Sequence, residues 1–485
     1  MKKKSLSINA ILYVIRNIMK ILFPLITFPY ISRVLGVDSI GQYNFASSVI
    51  NYFILIAELG ISTYAVREGA RLRENRKKIN EFINEIFTIN ITSTAISYAL
   101  LFIVLVLFKD IRTSALLITI LASKIIFNTI GLEWVYTIYE EFSYIVIRSI
   151  TTQFFSLIMM FLLVKSSKDV YIYAGITVIA SVGSNLFNWI HIKNYCRARM
   201  TKRVNWKKHL KPILMIFVTT ISISIYSTAD MTMLGILSGN RATGLYSVSA
   251  KVYDIAKSTL AAIILVSIPR LSAIIGKKDF IQYEITAPKI YKTLISLAVP
   301  SMFGIMLLAQ DIILLISGRN YLDATCSLQI LSIAAIINLG AWFYGQCVLI
   351  PLKKEKIMLF MSIITALLNI VLNICMIPLW EENAAAITTL ISEITSFGIV
   401  MSAARKYIKF KGIYISYLKT IAGCIGMVIG VKYVLGLELN MYSEILLSVL
   451  SGAIIYIIIE IVLRNEEFMG ITISFLSKII RNKNS

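Results

Sequence analysis

Apolar runs of about 20 residues recur from one end of this chain to the other, each long enough to cross about 30 Å of hydrocarbon as a helix. In lipid, every backbone N–H and C=O must be satisfied within the segment or within a closed barrel, so such runs fold as spanning helices. The composition agrees. Of 485 residues, 57% are hydrophobic and 15% charged, with a mean hydropathy of +0.77, which is too apolar for a soluble domain. No stretch is left over for one. Windows of about 20 residues place about fourteen helices. They begin near Ile8, Tyr43, Ile83, Ser114, Ile147, Tyr171, Ile213, Tyr246, Thr293, Cys326, Ile357, Asn383, Leu418 and Met441. The expected fold class is an all-α polytopic membrane protein.

The 48 Lys+Arg exceed the 26 Asp+Glu, giving a formal charge of +22. In a chain of this kind a basic excess points to topology rather than to nucleic acid. Alternating sides from the tail Lys2-Lys3-Lys4 gathers the great majority of the basic residues on one side. They cluster at Arg67 to Lys78, Lys193 to Lys211, Arg270 to Lys292 and Arg405 to Lys419. Both termini are therefore expected in the cytoplasm. The first apolar run contains Arg16 and Lys20 and lacks a small-residue cleavage site, so it is not read as a signal peptide. The stretch from Glu466 to Ser485 sets Phe468, Ile471, Phe475, Ile479 and Ile480 against Lys478, Arg481 and Lys483, as an interfacial helix does.

An internal repeat is legible. Leu35-Gly36, Gly41, Tyr43 and Arg67 have counterparts in Leu234-Gly235, Gly244, Tyr246 and Arg270, and the last three pairs share one offset. An even number of helices separates the copies, so the repeat is parallel, with an axis along the membrane normal and a substrate path between the halves. Turn chemistry and the interfacial preference of tyrosine can also generate Gly-x-Tyr at helix starts. The expected organisation is a six-helix bundle over 1–192, a basic cytoplasmic linker over 193–212 and a second bundle over 213–404. Two further helices over 405–463 and an amphipathic tail over 464–485 complete it.

Ionisable residues at bilayer depth cost about 2.5–3.5 kcal/mol each on insertion scales and normally face a cavity or a partner. Arg16 and Lys20 share a face of the first helix, which Pro24 and Pro29 bend, and Lys124 sits mid-way along the fourth. Together they describe a cationic lumen suited to phosphate or another anion. Arg16 has an alternative, snorkelling to the headgroups. In the second half Asp230 and Lys251 could pair, and Lys251, Asp254 and Lys257 line one stripe, as a binding surface or as a structural ladder. Glu393 stands alone mid-helix, where a carboxylate is protonated or meets a cation. Asp230, Asp254 and Glu393 are the candidates for ion coupling. Glu58, Glu133, Asp311, Lys432 and Glu460 lie nearer helix ends and receive no role. Trp134, Tyr136, Trp342 and Tyr344 could stack on sugars or form an interfacial belt. His191 and His209 are expected on a solvated surface.

Several classes are excluded. Two histidines and five cysteines without CxxC spacing (Cys196, Cys326, Cys347, Cys375, Cys424) disfavour haem, zinc and iron–sulfur centres, so no metal or cofactor is expected and the cysteines read as packing residues. Gly276-Lys277 lacks the rest of a phosphate-binding loop, so ATP does not drive the protein directly. Outer connections of about ten residues or fewer leave no seat for a glycosyl-transfer site, and transport remains.

The run Phe28-Pro29-Tyr30-Ile31-Ser32-Arg33-Val34-Leu35-Gly36, followed by Gly41-x-Tyr43-x-x-Ala46, resembles the opening of Wzx-type oligosaccharide flippases. Glu133-Trp134-Val135-Tyr136, the Tyr226 to Gly235 run with Asp230, and Pro269-Arg270-Leu271-Ser272 resemble later landmarks. The resemblance covers about the first 280 residues well. It implies the polysaccharide-transport branch of the multidrug/oligosaccharidyl-lipid/polysaccharide exporter superfamily, with two six-helix bundles forming a V. It implies undecaprenyl-pyrophosphate-linked oligosaccharide as cargo, for O-antigen, capsule or another surface glycan, in the bacterial inner membrane, with a polysaccharide polymerase or assembly proteins as partners. By position the headgroup-receiving role falls on Arg16, Lys20 and Lys124, then Lys251 and Lys257. The alternatives are a cation-coupled exporter of drugs or small amphiphiles, a lipid-linked glycan polymerase or ligase, and a non-transporting scaffold.

Overall fold

The structure, a computed structural model, describes residues 6–408, 412–437 and 439–465. It is helical, with no strand among the described residues. Eleven segments among them are long and apolar enough to cross a membrane. Only 22% to 56% of each segment's most apolar window is buried, and large side chains such as Phe102, Leu107 and Val266 face outward. A surface this apolar belongs in lipid. The expected all-α polytopic class stands.

Two compact units form, Met1–Ser247 and Val248–Ser485. In the first, α1 (Leu6–Glu58), α2 (Ile61–Leu72), α3 (Arg76–Leu107), the short α4 (Lys109–Arg112), α5 (Ala115–Gly131) and α6 (Glu133–Ile138) are followed by α7 (Phe142–Leu163), α8 (Val170–Val178), α9 (Asn185–His191) and α10 (Trp206–Leu237). The next helix, α11 (Gly239–Gly276), begins in the first unit and continues into the second, which holds α12 (Phe280–Leu307), α13 (Ala309–Ser317), α14 (Thr325–Phe343), α15 (Glu355–Ala404), α16 (Ile413–Leu435) and α17 (Met441–Val462).

Within α1 the chain turns at Gly36 (φ 77, ψ 174), a conformation open to a residue without Cβ. The second leg therefore starts at once after Gly36, earlier than the expected start near Tyr43. A comparable break in α15 falls at Glu381 (φ 46, ψ −124). A non-glycine residue there costs on the order of 1–3 kcal/mol, so the surrounding packing must hold it.

The core of the first unit forms around α1, which packs on α3, α5, α7 and α10. Ile31, Leu35, Phe45 and Ile50 meet Leu117, Ile118 and Leu121 there. Polar staples from α3 add to the contact: Ser97 Oγ donates to Phe53 O (2.6 Å), Ser93 Oγ to Ala57 O (2.5 Å) and Asn90 Nδ2 to Ala57 O (2.9 Å). Such interhelical bonds in lipid contribute about 0.6 kcal/mol each.

The repeat glycines approach one another's backbone within this unit. A Cβ on Gly41 would stand 1.7 Å from Asn240 O, and one on Gly244 would stand 2.2 Å from Val37 O. The contact is reciprocal, since residue 37 meets 244, the counterpart of 41, and residue 41 meets 240, the counterpart of 37. A two-fold relation produces this pattern.

In the second unit α12 packs on α14 and α16, α14 on α15, and α16 on α17. Tyr283 and Tyr456 are buried there and donate to Cys347 O (2.5 Å) and Ser296 O (2.7 Å). Cys196, Cys347 and Cys424 are buried, whereas Cys326 and Cys375 are exposed, so packing accounts for three of the five. The amphipathic stretch from Glu466 onward lies outside the described residues.

Candidate functional site

The first unit encloses a polar cavity of about 470 Å³, within the size range of small-molecule sites. Helix irregularities build it. Glu58 ends α1, where Leu59 (φ 47) and Gly60 (φ 74) turn the chain left-handed before Ile61 and Ser62 open α2. Leu132 (φ 45), fully buried between α5 and α6, swings Glu133 and Trp134 into the wall. Left-handed backbone at a residue with a Cβ costs about 1–2 kcal/mol, and such strain gathers where function fixes geometry. A π-helical stretch, Ile179–Gly183, joins α8 towards α9 and brings in Ala180 and Ser181. Asn90, Asn128, Ser149, Gln153 and Asn185 complete the lining.

Many of these groups hold one another. Asn128 Nδ2 donates to Glu58 Oε1 (3.3 Å), and Asn185 Nδ2 donates to Phe127 O (3.1 Å) and Asn128 Oδ1 (3.4 Å). Behind the wall, Arg148 Nη2 pairs with Glu133 Oε2 at 3.0 Å while Nη1 donates to Ser184 O (3.3 Å). Two lining atoms remain without a partner, the donor Trp134 Nε1 and the acceptor Gln153 Oε1. A hydroxyl can satisfy both kinds, because it donates and accepts.

Of the residues singled out in the sequence, Lys124 is half-buried on α5, one turn from Asn128 and on the same face, but does not line the cavity. The side chains of Arg16 and Lys20 lie outside the described residues. Asp230 is buried in the first unit and accepts from Tyr246 Oη at 2.8 Å. In the second unit Lys251 is half-buried. Lys257 Nζ sits 3.4 Å from Asp254 Oδ1 and 4.1 Å from the Tyr253 ring centroid. Glu393, 2% exposed, accepts from Asn338 Nδ2 at 2.7 Å. Trp134 lines the cavity, whereas Tyr136 is fully buried, stacked on Tyr144 (5.0 Å) and donating to Asn188 O (2.8 Å).

Sequence reasoning missed Glu58, Glu133 and Arg148. The two carboxylates were assigned to solvated helix ends, but the left-handed turns after Leu59 and at Leu132 fold those ends inward. A charged Arg148 in the apolar run of α7 was the available signal.

At the end of this unit that carries the 67–78 loop, the basic link packs down on α3. Arg199 N donates to Asn84 Oδ1 (2.8 Å), Thr201 N to Thr88 Oγ1 (2.9 Å) and Asn205 N to Glu85 Oε2 (3.1 Å). His209, 1% exposed, bridges Tyr64 Oη at Nδ1 (2.8 Å) and Glu85 Oε2 at Nε2 (2.8 Å). The expected solvated position is overturned for His209, since Tyr64, Phe82 and Glu85 close over it. Burial lowers its affinity for a proton below the ordinary histidine value, and the Glu85 carboxylate opposes that in part.

The second unit has a cavity of about 480 Å³ with a different lining: Tyr291, Tyr344, Phe397, Tyr414 and Tyr417, with Arg405 and the apolar Met401, Ile408 and Ile413. The Tyr291 and Tyr417 hydroxyls meet at 2.9 Å.

A family model described as "Polysaccharide biosynthesis protein" matches residues 6–275, more than half of the chain. The chain is 25% identical over 403 residues to the "Putative O-antigen transporter" of Escherichia coli (strain K12), spanning 81% of this chain and 94% of that one. It is 22% identical over 390 residues to the "Capsular polysaccharide biosynthesis protein CapF" of Staphylococcus aureus, spanning 78% and 94%. Among solved structures, "Lipid II flippase MurJ, inward closed conformation" aligns with a TM-score of 0.75 at 18% identity, over 94% of this chain and 99% of that one. That identity speaks for a shared fold. The chain belongs to the polysaccharide biosynthesis protein family.

Proposed function

We propose that this member of the polysaccharide biosynthesis protein family is a flippase for undecaprenyl-pyrophosphate-linked oligosaccharide repeat units, a transporter and not an enzyme. It carries them from the cytoplasmic to the outer leaflet of the bacterial inner membrane, with both of its termini in the cytoplasm. The observation that supports the reading is the lining of the first unit's cavity. Amides, hydroxyls and carboxylates suit the paired donors and acceptors of sugar hydroxyls, and the Trp134 indole offers a flat apolar face. Trp134 Nε1 and Gln153 Oε1 await such partners.

In this reading the mechanism is alternating access over fourteen crossings: the bundles 1–192 and 213–404, linked by 193–212, with 405–463 appended and 464–485 on the cytoplasmic face. The sugars enter the polar cavity while the prenyl chain stays in lipid. Arg16, Lys20 and Lys124, with Lys251 and Lys257, attract the pyrophosphate, because a cation in a low-dielectric site draws phosphate more strongly than in water. Release needs that attraction weakened. A cation bound at Asp230, Asp254 or Glu393 does this, and polymerisation of the cargo outside gives the cycle its direction.

The test is flux in proteoliposomes that contain a lipid-linked oligosaccharide and are probed by a membrane-impermeant glycosidase. The chain is expected to expose inner-leaflet sugar far faster than empty vesicles do, and a Lys20→Ala/Lys124→Ala variant to slow it. Equal rates with and without protein would overturn the assignment. Imposed proton or sodium gradients test the coupling residues.

A further inference from the structure

The paired helices α16 and α17 bury a small group of oxygen atoms that lack a hydrogen-bond partner among the described residues. Ser416 Oγ, Thr420 Oγ1, Glu460 Oε1 and Asn465 Oδ1 all lack a hydrogen-bond partner, and their residues are 0% to 6% exposed. Serine and threonine in lipid-facing helices ordinarily donate to a carbonyl three or four residues back, as Thr365 and Thr395 do here. Ser416 and Thr420 do not, and their spacing puts both on one face of α16. That face meets Glu460, whose Oε1 lies 3.4 Å from the place a Cβ on Gly423 would take, one turn from Thr420.

The chain beyond α17 completes the group. Arg464 adopts a left-handed conformation (φ 50), and Asn465 N returns to Glu460 O at 3.0 Å. This reversal lays the Asn465 amide over the carboxylate, with Nδ2 donating to Glu460 Oε2 at 2.6 Å and Oδ1 left over. Among the described residues no lysine or arginine is paired with Glu460. Lys419, the lysine of this helix end, directs Nζ to Arg464 O at 3.0 Å, and the Tyr456 hydroxyl directs its proton to Ser296 O.

A carboxylate buried between helices needs a countercharge. The groups available are one carboxylate oxygen, one amide oxygen and two hydroxyls, all hard donors. Calcium takes six to eight oxygens, several of them charged, and magnesium keeps most of its water. A single negative charge balances a single positive one. We propose that Glu460, Thr420, Ser416 and Asn465 bind a monovalent alkali cation, sodium, which fastens α16 to α17.

Thermal unfolding of the full-length protein in detergent, with sodium chloride exchanged for choline chloride at constant ionic strength, tests this. The wild type is expected to melt several degrees higher in sodium. Glu460→Gln, which keeps an acceptor for Asn465, and Thr420→Val are expected to lose that increment while melting in choline no lower than the wild type. Glu382→Gln, at another buried carboxylate of this unit, is expected to keep it. The proposal falls if the wild type melts alike in both salts, if Glu460→Gln keeps the full increment, or if Glu382→Gln abolishes it. It also falls if acidifying the choline sample restores the whole increment and sodium adds nothing, because Glu460 is then simply protonated.

Discussion

In the first unit a cavity of about 470 Å³ is walled by amides, hydroxyls, two carboxylates and an indole, whereas in the second a cavity of about 480 Å³ is walled by four tyrosines, a phenylalanine and an exposed arginine. The cavities are almost equal in volume, yet one presents hydrogen-bonding groups and the other ring faces. The origin is local. The first cavity is made where helices are interrupted, at Leu59, Leu132 and the π-helical stretch over 179–183, and interruptions release polar groups that regular helix would occupy. The second also lies at interruptions, the π-helical stretch that opens at Tyr344 and the facing ends of α15 and α16, but the side chains carried there are mostly aromatic and aliphatic.

The largest expected effect concerns the charge beneath each cavity. Arg148→Ala leaves Glu133 half-buried without its cation and should cost about 2–4 kcal/mol, near the lower end for broken buried pairs. Arg405→Ala removes an exposed side chain and should cost less than about 0.5 kcal/mol. Loss of helicity on titration with a denaturing detergent measures both, and equal costs would erase the distinction between the cavities. Next comes ligand chemistry. Trp134→Phe with Gln153→Leu should lower sugar-lipid flux about tenfold, or about 1.4 kcal/mol, while Tyr417→Phe should change it less than about twofold.

A smaller effect lies at the loop end of the first unit. Because the folded chain holds His209 with a lowered pKa, the unfolded chain takes up the proton first, near the ordinary value of 6.5. The stabilisation is therefore complete above about pH 6.5 and is lost as pH falls through the lowered value. Melting temperature followed from pH 7 to 5 should show this decline, and His209→Gln should flatten it. The smallest change should come from Lys257→Met, whose partner Asp254 is largely exposed. Stability should shift by less than about 0.5 kcal/mol, so a large fall in flux for that variant would mark contact with the pyrophosphate.

Much of the fold was legible because run length alone dictates a spanning helix. Gly36 was legible as part of the repeat, but that the chain turns there, with helix resuming at the next position, depends on its backbone angles. The repeat was readable from Gly41 and Gly244. The site was harder to read. Trp134, which lines the cavity, could be named from its chemistry, whereas Lys124, named from its depth, does not line it. Glu58 and Glu133 could not, because a helix end counts as solvated until another segment folds over it. His209 misled for the same reason: nothing near it in sequence announces Tyr64 and Glu85.

The glycine crossing within the first unit has an evolutionary corollary. Since the nearest atom to a Cβ on either Gly41 or Gly244 is a backbone oxygen, the chief chemical demand on each position is a hydrogen atom. Everything around them can drift without unseating the joint, so two duplicated segments can grow almost unrecognisable to one another in sequence while remaining mechanically the same part.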